Sequence, residues 1–156
     1  MTTTFDDIEI GHVVVTARRT ITDADILWFC GLSGDFNPLH TDIEFIREHT
    51  PFRDRVAHGH LVLSITGGLR SELDAWQIIA YLDCQRRFLA PVYAGDTIHA
   101  TYRVTEVRPS RSRPGLGIVT FNVETLNQDG EVVQKGTDVL LVGSRDGSTK
   151  ATATAT

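Results

Sequence analysis

The chain has 156 residues, of which 41% are hydrophobic and 22% are charged, and this composition suits one domain with its own core. Its net charge of −5 argues against nucleic acid as a general partner. No apolar run approaches the roughly 18 residues that would span a membrane, and the N-terminus lacks the basic and apolar segments of a secretory signal. We therefore expect a cytoplasmic protein that is not bound to a membrane, with Cys30 and Cys84 reduced and buried.

The first part of the sequence predicts one strand and one helix. The β-branched run at 13–16 is typical of a strand. Thr22 is the expected N-cap of a helix, because acidic residues follow it in the first turn. Apolar residues then recur at helical spacing, namely Ile26, Phe29 and Cys30. We expect Trp28 to pack in the core beside them, and the helix to end between 31 and 34.

Two further helices are predicted in the middle of the chain. Residues 42–47 suggest a short helix. From 61 to 65 nearly every residue is apolar, which is typical of a helix buried on all sides. The glycine pair at 67–68 would cost roughly 1 kcal/mol per residue in a helix interior, a tolerable cost if another backbone approaches closely. The dipeptide at 58–59 begins this helix, where unpaired N–H groups and the helix dipole favour negative charge.

The second half of the chain predicts antiparallel strands. Apolar or alternating runs mark them at 78–88, 97–107, 117–126 and 131–142. In the second of these runs one face is apolar, formed by Ile98, Ala100, Tyr102 and Val104. Residues 127–130 have the composition of a hairpin turn, and Gly136 is a candidate bulge. We expect one domain over 1–144 and a disordered tail over 145–156, which has no core-forming pattern.

The order of these elements predicts an α+β architecture. An apolar helix needs cover on all sides, and a sheet needs cover on its apolar face. The simplest arrangement is a curved antiparallel sheet wrapped round one central helix. Such a sheet leaves open edges, so we expect a homodimer joined through the sheet.

Residues 33–42 hold the two side chains best suited to proton transfer. Asp35 and His40 are five residues apart, and the turn-forming pair Asn37-Pro38 stiffens the backbone between them. Gly34 frees the chain just before the acid. An acid and a histidine on a rigid, irregular segment suit a reaction, although the same residue types also fill ordinary turns.

The stretch Gly-Asp-Phe-Asn-Pro-Leu-His-Thr-Asp at 34–42, followed by Ala-His-Gly at 57–59, resembles the MaoC-like (R)-specific enoyl-CoA hydratases. These are the hydratase 2 group of the hot-dog fold. The segments 88–98 and 127–131 are similar to the same family, and the resemblance covers roughly residues 5–144. It implies a hot-dog fold and the reversible syn addition of water to a trans-2-enoyl-CoA, which gives an (R)-3-hydroxyacyl-CoA.

The resemblance also implies roles for individual residues. Asp35 and His40 would hold a water against C3 of the enoyl thioester and return a proton to C2, because hydration needs both a base and an acid. Asn37 would brace the loop or the water, and the N–H of Gly59 would bind the thioester oxygen. His58 is expected to shape the turn. Further candidates for substrate contact are Ser64, Arg87 and Phe88. Coenzyme A is part of the substrate, so no separate cofactor and no metal is expected.

Three features depart from this pattern or lie outside it. His60 replaces a residue that is usually apolar in the family, and would be either a polar helix start or a third polar group near the substrate. Of the pair Arg86-Arg87, one is expected to face solvent, and we hypothesise that the other binds an acyl carboxylate or a CoA phosphate. Three arginines crowd a hairpin loop and are a candidate anchor for CoA, namely Arg108, Arg111 and Arg113.

Other functions stay open from the sequence. A hot-dog thioesterase would hydrolyse the same thioester, and a non-catalytic subunit would only bind acyl-CoA. A metal hydrolase built on His58 and His60 with His40 is disfavoured, because residues two apart do not share a helix face. The length, branching and carboxylation of the acyl group are not encoded in any one stretch of the chain.

Overall fold

The computed structural model describes residues 2–145. One antiparallel sheet of six strands dominates it, in the order β1-β4-β5-β6-β3, with β2 also paired to β4. The strands are β1 (Val13–Val15), β2 (Arg19–Thr20), β3 (Ile78–Phe88), β4 (Thr97–Pro109), β5 (Leu116–Leu126) and β6 (Val132–Gly143). The four long strands follow the predicted ones within a few residues, and β3 lies at an edge of the sheet.

Four α-helices and two 3₁₀ turns complete the described part of the chain. The helices are α1 (Asp23–Ser33), α2 (Pro38–Thr41), α3 (Ile43–His49) and α4 (Gly59–Gly67), and the 3₁₀ turns are Phe5–Asp7 and Glu72–Ala75. Thr22 caps α1 as predicted: its hydroxyl accepts from the N–H of Asp25, whose carboxylate accepts in return from the N–H of Thr22. No helix among residues 2–145 is long and apolar enough to cross a membrane.

The core lies between the sheet and the helices. The predicted apolar face of β4 is buried, and it packs with the buried residues of β5 and β6 around Phe121 and Leu140. Leu61, Val62 and Ile65 of α4 pack in a second cluster with Ile98 of the sheet and Ile26 of α1. Helix α4 is therefore the central helix of the predicted architecture.

Several predictions about individual residues are wrong. Trp28 is 81% exposed and Cys84 is exposed, whereas Cys30 is buried. From Ile26 to Leu32 helix α1 has no charged residue, and because its buried side is formed by Ile26 and Cys30, Trp28 is left uncovered. Helix α4 is likewise not buried on all sides, because His60 and Ser64 are exposed.

The glycines of α4 and β6 also differ from their predictions. Gly67 is the last residue of α4 and Gly68 follows as its C-cap, and a Cβ at Gly67 would meet nothing within 4 Å. Gly136 pairs regularly with Arg86 and Val123, and the bulges of the sheet lie elsewhere. Its small size is needed because a Cβ there would lie 1.8 Å from the carbonyl oxygen of Gln85. Close backbone approach therefore occurs at β6, not at the end of α4.

The end of the described chain is attached to its beginning. The N–H of Arg145 donates to Asp6 Oδ2 at 2.7 Å, and its guanidinium pairs with Asp7. Gly143 still belongs to β6. Of the predicted tail at 145–156, residues 146–156 lie outside the described residues.

Candidate active site

Local structure between α1 and α2 positions the predicted acid. Helix α1 ends at Gly34, whose φ of 76° lies in the left-handed region that favours glycine, and Asp35 follows at once. Asp35 Oδ1 accepts from the N–H of Asn37 at 3.2 Å, and Asn37 Oδ1 accepts from the N–H of Leu39 at 3.0 Å. Asn37 is thus the N-cap of α2 and has the extended backbone expected before a proline. Its side chain therefore holds the backbone at the start of α2.

Helix α2 brings His40 next to Asp35. The expected irregular segment is therefore helical over one turn, with Pro38 at its first position, where the missing N–H costs nothing. His40 Nδ1 lies 2.6 Å from the carbonyl oxygen of Val56, so this nitrogen donates a hydrogen to it. His40 Nε2 then faces Asp35 Oδ2 at 3.8 Å. That separation exceeds a hydrogen bond, so both atoms keep capacity for a third group placed between them.

His58 is a third member of this cluster. Its ring is 4% exposed and stacks on that of His40, with ring centroids 3.5 Å apart. The ring centroid of Phe29 lies 5.0 Å from that of His58. His58 Nε2 donates to the carbonyl oxygen of Asp35 at 3.1 Å and lies 3.8 Å from its Oδ2. Burial lowers the pKa of His58, and the neighbouring His40 acts in the same direction. The structure therefore places His58 against the acid and base, a closer position than the expected turn-shaping role requires.

The N-terminus of α4 lies beside these three residues. His58 is the N-cap of α4 but makes no side-chain capping bond, so the first N–H groups of the helix are left without that partner. Gly59 leaves room here for Phe88, because a Cβ would lie 2.6 Å from the ring of Phe88 unless that ring moved. The carbonyl of Gly59 accepts from Gln134 Nε2 at 2.8 Å. Sequence analysis missed Gln134, because the sequence does not signal its burial: Lys135 and further polar residues follow it in β6.

A groove of about 380 Å³ opens at the start of α4, and we call it the strand groove. Its lining includes Phe52, Val56, His60, Phe88, Pro91 and Gln134. The rings of His60 and Phe88 meet edge to face with centroids 5.6 Å apart. The structure thus brings the candidate contact residues Phe88 and Gly59 together in one groove, where His60 is a polar group.

Other predicted contacts lie away from the strand groove. Ser64 is one turn further along α4, and its hydroxyl donates to the carbonyl of His60 at 2.7 Å. Arg87 is exposed on β3 opposite Lys135. The side chain of Arg86 is 5% exposed, and its Nη2 donates to Asp138 Oδ2 at 2.9 Å. Arg86 is therefore paired with a carboxylate of the chain itself.

The three arginines of the hairpin loop lie at the far end of the sheet. Arg108 is paired with Ile118 and, through it, with Leu141, whereas Phe88 is paired with Gln134. Leu141 and Gln134 are seven residues apart on one strand, which is a distance of about 23 Å. One protomer therefore does not bring this loop to Gly59 and Phe88.

The cluster also resembles a set of metal ligands. One ligand atom from each of Asp35, His40 and His58 lies within 4.8 Å of the others. However, the two imidazole rings are stacked 3.5 Å apart with 22° between their planes, so their lone pairs lie in separate, nearly parallel planes, which does not suit binding of one ion by both rings. His58 Nε2 is also engaged with a backbone carbonyl. Because His60 lies outside this cluster, the geometry gives no support to a metal site of His40, His58 and His60.

Comparison with known proteins identifies the family. Residues 7–126 match the model of the MaoC-like domain. The chain is 36% identical over 142 residues to an (R)-specific enoyl-CoA hydratase of Rhodospirillum rubrum, covering 90% of this chain and 92% of that protein. Other relatives are named as 3-hydroxyacyl-[acyl-carrier-protein] dehydratases of plant mitochondria.

Solved structures agree on the fold. A protein from Archaeoglobus described as a monoamine oxidase regulatory protein superposes with a TM-score of 0.81 at 36% identity, over 92% of this chain and 95% of that chain. A double hot-dog protein of Mycobacterium tuberculosis, at 20% identity and a TM-score of 0.79, covers 94% of this chain and 46% of that chain. The chain belongs to the MaoC-like dehydratase family and is a hydro-lyase with the α+β hot-dog fold.

Proposed function

We propose that this protein is an (R)-specific enoyl-CoA hydratase, which adds water reversibly to trans-2-enoyl-CoA to give (R)-3-hydroxyacyl-CoA. The observation that carries the proposal is the pair of free acceptor atoms, Asp35 Oδ2 and His40 Nε2, facing each other at 3.8 Å beside an uncapped helix start. Two relatives named as (R)-specific enoyl-CoA hydratases, which align with 90% and 85% of this chain, support it.

The pair is arranged to activate a water molecule. Because His40 Nδ1 donates to Val56, its Nε2 lone pair is directed at the space next to Asp35. A water held between Nε2 and Oδ2 gives up one proton to the pair as its oxygen bonds to C3 of the enoyl group. The C2–C3 π electrons move towards C2 and the thioester, and the pair returns a proton to C2. General acid–base groups of this kind contribute roughly 10²–10⁴-fold to a rate.

The start of α4 stabilises the charge that this step creates. As water adds to C3, the thioester oxygen becomes enolate-like. The N–H of Gly59, at the positive end of the helix dipole, is the proposed donor to that oxygen, and one such donor is worth roughly 3 kcal/mol. The absence of a Cβ at Gly59 also lets Phe88 close the strand groove against the same turn.

The proposal includes a homodimer joined through β3. This edge strand exposes large apolar side chains, namely Ile78, Ile79, Tyr81, Leu82 and Phe88. An exposed apolar edge tends to pair with another strand. A second copy of β3 in antiparallel pairing would satisfy its backbone groups and cover these side chains by a symmetric interface.

The first test is an assay with crotonyl-CoA that follows the enoyl absorbance and free thiol together. Wild type should lose absorbance without releasing thiol and yield the R alcohol. Asp35→Asn and His40→Gln should each lower kcat by about a hundredfold or more, whereas Glu48→Gln, an exposed carboxylate on α3, should not change it.

Three outcomes would contradict all or part of this proposal. Thiol release by wild type would indicate a thioesterase. Inactivity towards short, long, branched and dicarboxylic enoyl-CoA would leave a protein that binds acyl groups without the reaction. Activity confined to acyl-carrier-protein thioesters would keep the chemistry but replace CoA as the carrier.

A further inference from the structure

The hairpin between β4 and β5 concentrates positive charge in an acidic protein. The net charge of the chain is −5, yet residues 107–123 contain no acidic residue and include Arg108, Arg111 and Arg113. Arg108 Nε lies 3.1 Å from Glu106 Oε1, so this arginine has a partner. Arg111 and Arg113 are exposed and form no ion pair with residues 2–145. Two guanidinium groups of the hairpin are therefore available to an anion from outside the protomer.

The turn of this hairpin is held by its own hydrogen bonds. The N–H of Ser110 donates to the carbonyl oxygen of Leu116 at 2.9 Å, and the N–H of Leu116 donates to that of Arg113 at 3.2 Å. The hydroxyl oxygen of Ser110 accepts from the N–H of Arg113 at 3.2 Å. Because the backbone is already ordered, binding an anion here would restrict only the arginine side chains, which limits its entropic cost.

Within one protomer the hairpin and the candidate active site lie at opposite ends of the sheet. Strand β3 is paired with β6 from Ile78, which is opposite Val142, to Phe88, which is opposite Gln134. Val142 is paired in turn with Gly117, next to the hairpin. The hairpin therefore lies at the Ile78 end of β3, whereas the strand groove lies at the Phe88 end.

The proposed dimer reverses this relation. Large apolar side chains are exposed on β3 from Ile78 to Phe88, so antiparallel pairing of two copies covers most of them when it extends over the whole strand. Phe88 of one protomer then lies next to the partner's Ile78. From there the hairpin of the partner subunit is three to four strand spacings away, or about 14–19 Å. The hairpin of the same protomer is farther, since about 23 Å along the strands already separates it from Phe88.

This separation matches the reach of coenzyme A. About thirteen bonds join the thioester sulfur of CoA to its first phosphorus, as in about four residues of extended chain, which span about 14 Å. A thioester bound by the N–H of Gly59 would therefore place its pyrophosphate and 3′-phosphate close to the partner's hairpin. Guanidinium groups suit these ligands, because they bind phosphate oxygens through paired, charge-assisted hydrogen bonds.

We propose that the hairpin of each subunit completes the active site of its partner, with Arg111 and Arg113 binding the phosphates of coenzyme A. This rests on the proposed function of the site and on the homodimer joined through β3. A single protomer would then hold the acid, the base and the oxyanion donor but would lack the anchor for the charged end of its substrate.

Steady-state kinetics with two thioesters test the anchor. The double variant Arg111→Gln, Arg113→Gln should lower kcat/KM for crotonyl-CoA by about tenfold, mainly through KM, because charge-assisted hydrogen bonds to phosphate are lost. Crotonyl-pantetheine has no phosphate and should change by less than twofold. Added salt should slow wild type more than the variant at low crotonyl-CoA concentration.

Arg103→Gln is the matched control for these assays. Arg103 is exposed on β4 like the residues of the hairpin, but it lies in the middle of the strand, opposite Asn122. Its replacement should change neither substrate. Equal losses for both substrates in the double variant, or no loss with crotonyl-CoA, would overturn the proposal. A larger loss with crotonyl-acyl carrier protein than with crotonyl-CoA would also overturn it, because the hairpin would then bind a carrier protein.

Mixed dimers decide which subunit supplies the arginines. When an Asp35→Asn chain is paired with the double arginine variant, the one intact Asp35 faces the unaltered hairpin of the Asp35→Asn chain, so KM for crotonyl-CoA should equal that of wild type. When all three substitutions are in one chain and its partner is wild type, the intact Asp35 faces the altered hairpin, and KM should rise about tenfold. The reverse pattern would assign each hairpin to its own subunit and overturn the proposal.

A binding measurement separates this proposal from that of the reaction. Butyryl-CoA is saturated and cannot be hydrated, so calorimetry measures its affinity without turnover. The dissociation constant should be about tenfold higher for the double arginine variant than for wild type, and that of butyryl-pantetheine should not change. This result in a dimer that hydrates no enoyl-CoA would refute the proposed reaction alone. Unchanged affinity for butyryl-CoA in an active dimer would refute the anchor alone.

Discussion

At the scale of residues, the candidate site depends on two imidazole rings with different surroundings. His40 is anchored by Val56 and opens towards Asp35, whereas His58 is enclosed by Phe29, Cys30 and the ring of His40 itself. Two protonated rings stacked at 3.5 Å would repel each other strongly. Burial and the neighbouring ring therefore lower the pKa of His58, and its imidazole holds the loop through the carbonyl oxygen of Asp35.

The lowered pKa of His58 predicts a pH dependence of stability. An unfolded histidine binds a proton near pH 6.5, and the folded one does so only at lower pH. The contribution of His58 to the free energy of unfolding is therefore complete above about pH 6.5. It is lost as the pH falls towards the pKa of His58 in the folded protein, at up to about 1.4 kcal/mol per pH unit.

Urea unfolding at pH 7.5 and pH 5.5 measures this effect. His58→Phe should show a smaller decrease in the free energy of unfolding than wild type over that interval. His49→Gln, an exposed histidine on α3, should decrease as wild type does. An equal decrease in wild type and His58→Phe would show that His58 does not titrate in this way.

The sequence predicts those parts of the candidate site whose residues are close together along the chain. Asp35, Asn37 and His40 are within six residues, so the chain itself implies their proximity. Gln134 reaches Gly59 across 75 positions, and that contact exists only once β6 and α4 have packed. The stacking of His58 on His40 likewise depends on tertiary structure, so the sequence predicts only a turn-shaping role for His58.

At the scale of elements, β3 and β6 are held by a buried ion pair as well as by their backbone ladder. Asp138 is 1% exposed and pairs with Arg86, and the hydroxyl of Tyr81 donates to the same carboxylate at 2.7 Å. Burial and this hydrogen bond raise the pKa of Tyr81, so its hydroxyl keeps the proton it donates. Nothing in the sequence indicates that Arg86 has a buried partner, because polar and apolar residues alternate poorly along β3.

Breaking this pair should strongly destabilise the protein. Arg86→Met leaves the carboxylate of Asp138 buried with one partner fewer, and a loss of about 3–5 kcal/mol is expected. The double variant Arg86→Met, Asp138→Leu should lose less, because no uncompensated charge remains. Arg87→Met on the same strand is exposed and should change stability by no more than about 0.5 kcal/mol.

Denaturant unfolding of wild type and the three variants measures whether the ion pair of Arg86 and Asp138 stabilises the protein or contributes little. If Arg86→Met were as stable as Arg87→Met, the ion pair would not stabilise the strand junction. If the double variant were the least stable, the attraction between the two charges would outweigh their desolvation.

At the scale of the whole molecule, the fold was predictable because its pattern is carried by long segments. Alternation along β4 and β5 specified their buried faces, and the apolar run in α4 identified the helix that the sheet covers. The exposed faces of α1 and β3 were not predictable in this way. Periodicity shows that a side chain is apolar, but it does not say whether another element is available to cover it.

The dimer proposed through β3 makes a specific prediction for assembly. Leu82→Lys places a charge on the exposed apolar edge and should convert the dimer to a monomer in sedimentation velocity. Ile10→Lys changes an equally apolar side chain, 67% exposed, that precedes β1 at the other end of the sheet, and should leave the dimer intact. A monomeric wild type would refute the dimer, and dissociation by Ile10→Lys alone would place the interface elsewhere.

The close approach of β3 and β6 at Gly136 has a consequence for how this protein can vary. At Gly59 the obstacle to a larger residue is the ring of Phe88, which can rotate or be replaced, so a second substitution can compensate for the first. At Gly136 the obstacle is the carbonyl of Gln85, which every amino acid carries. In a library of all single and paired substitutions, Gly59 should therefore regain tolerance through changes at Phe88. At Gly136 no second substitution should restore tolerance of a larger residue. This position of the sheet should therefore stay glycine as the sequence evolves.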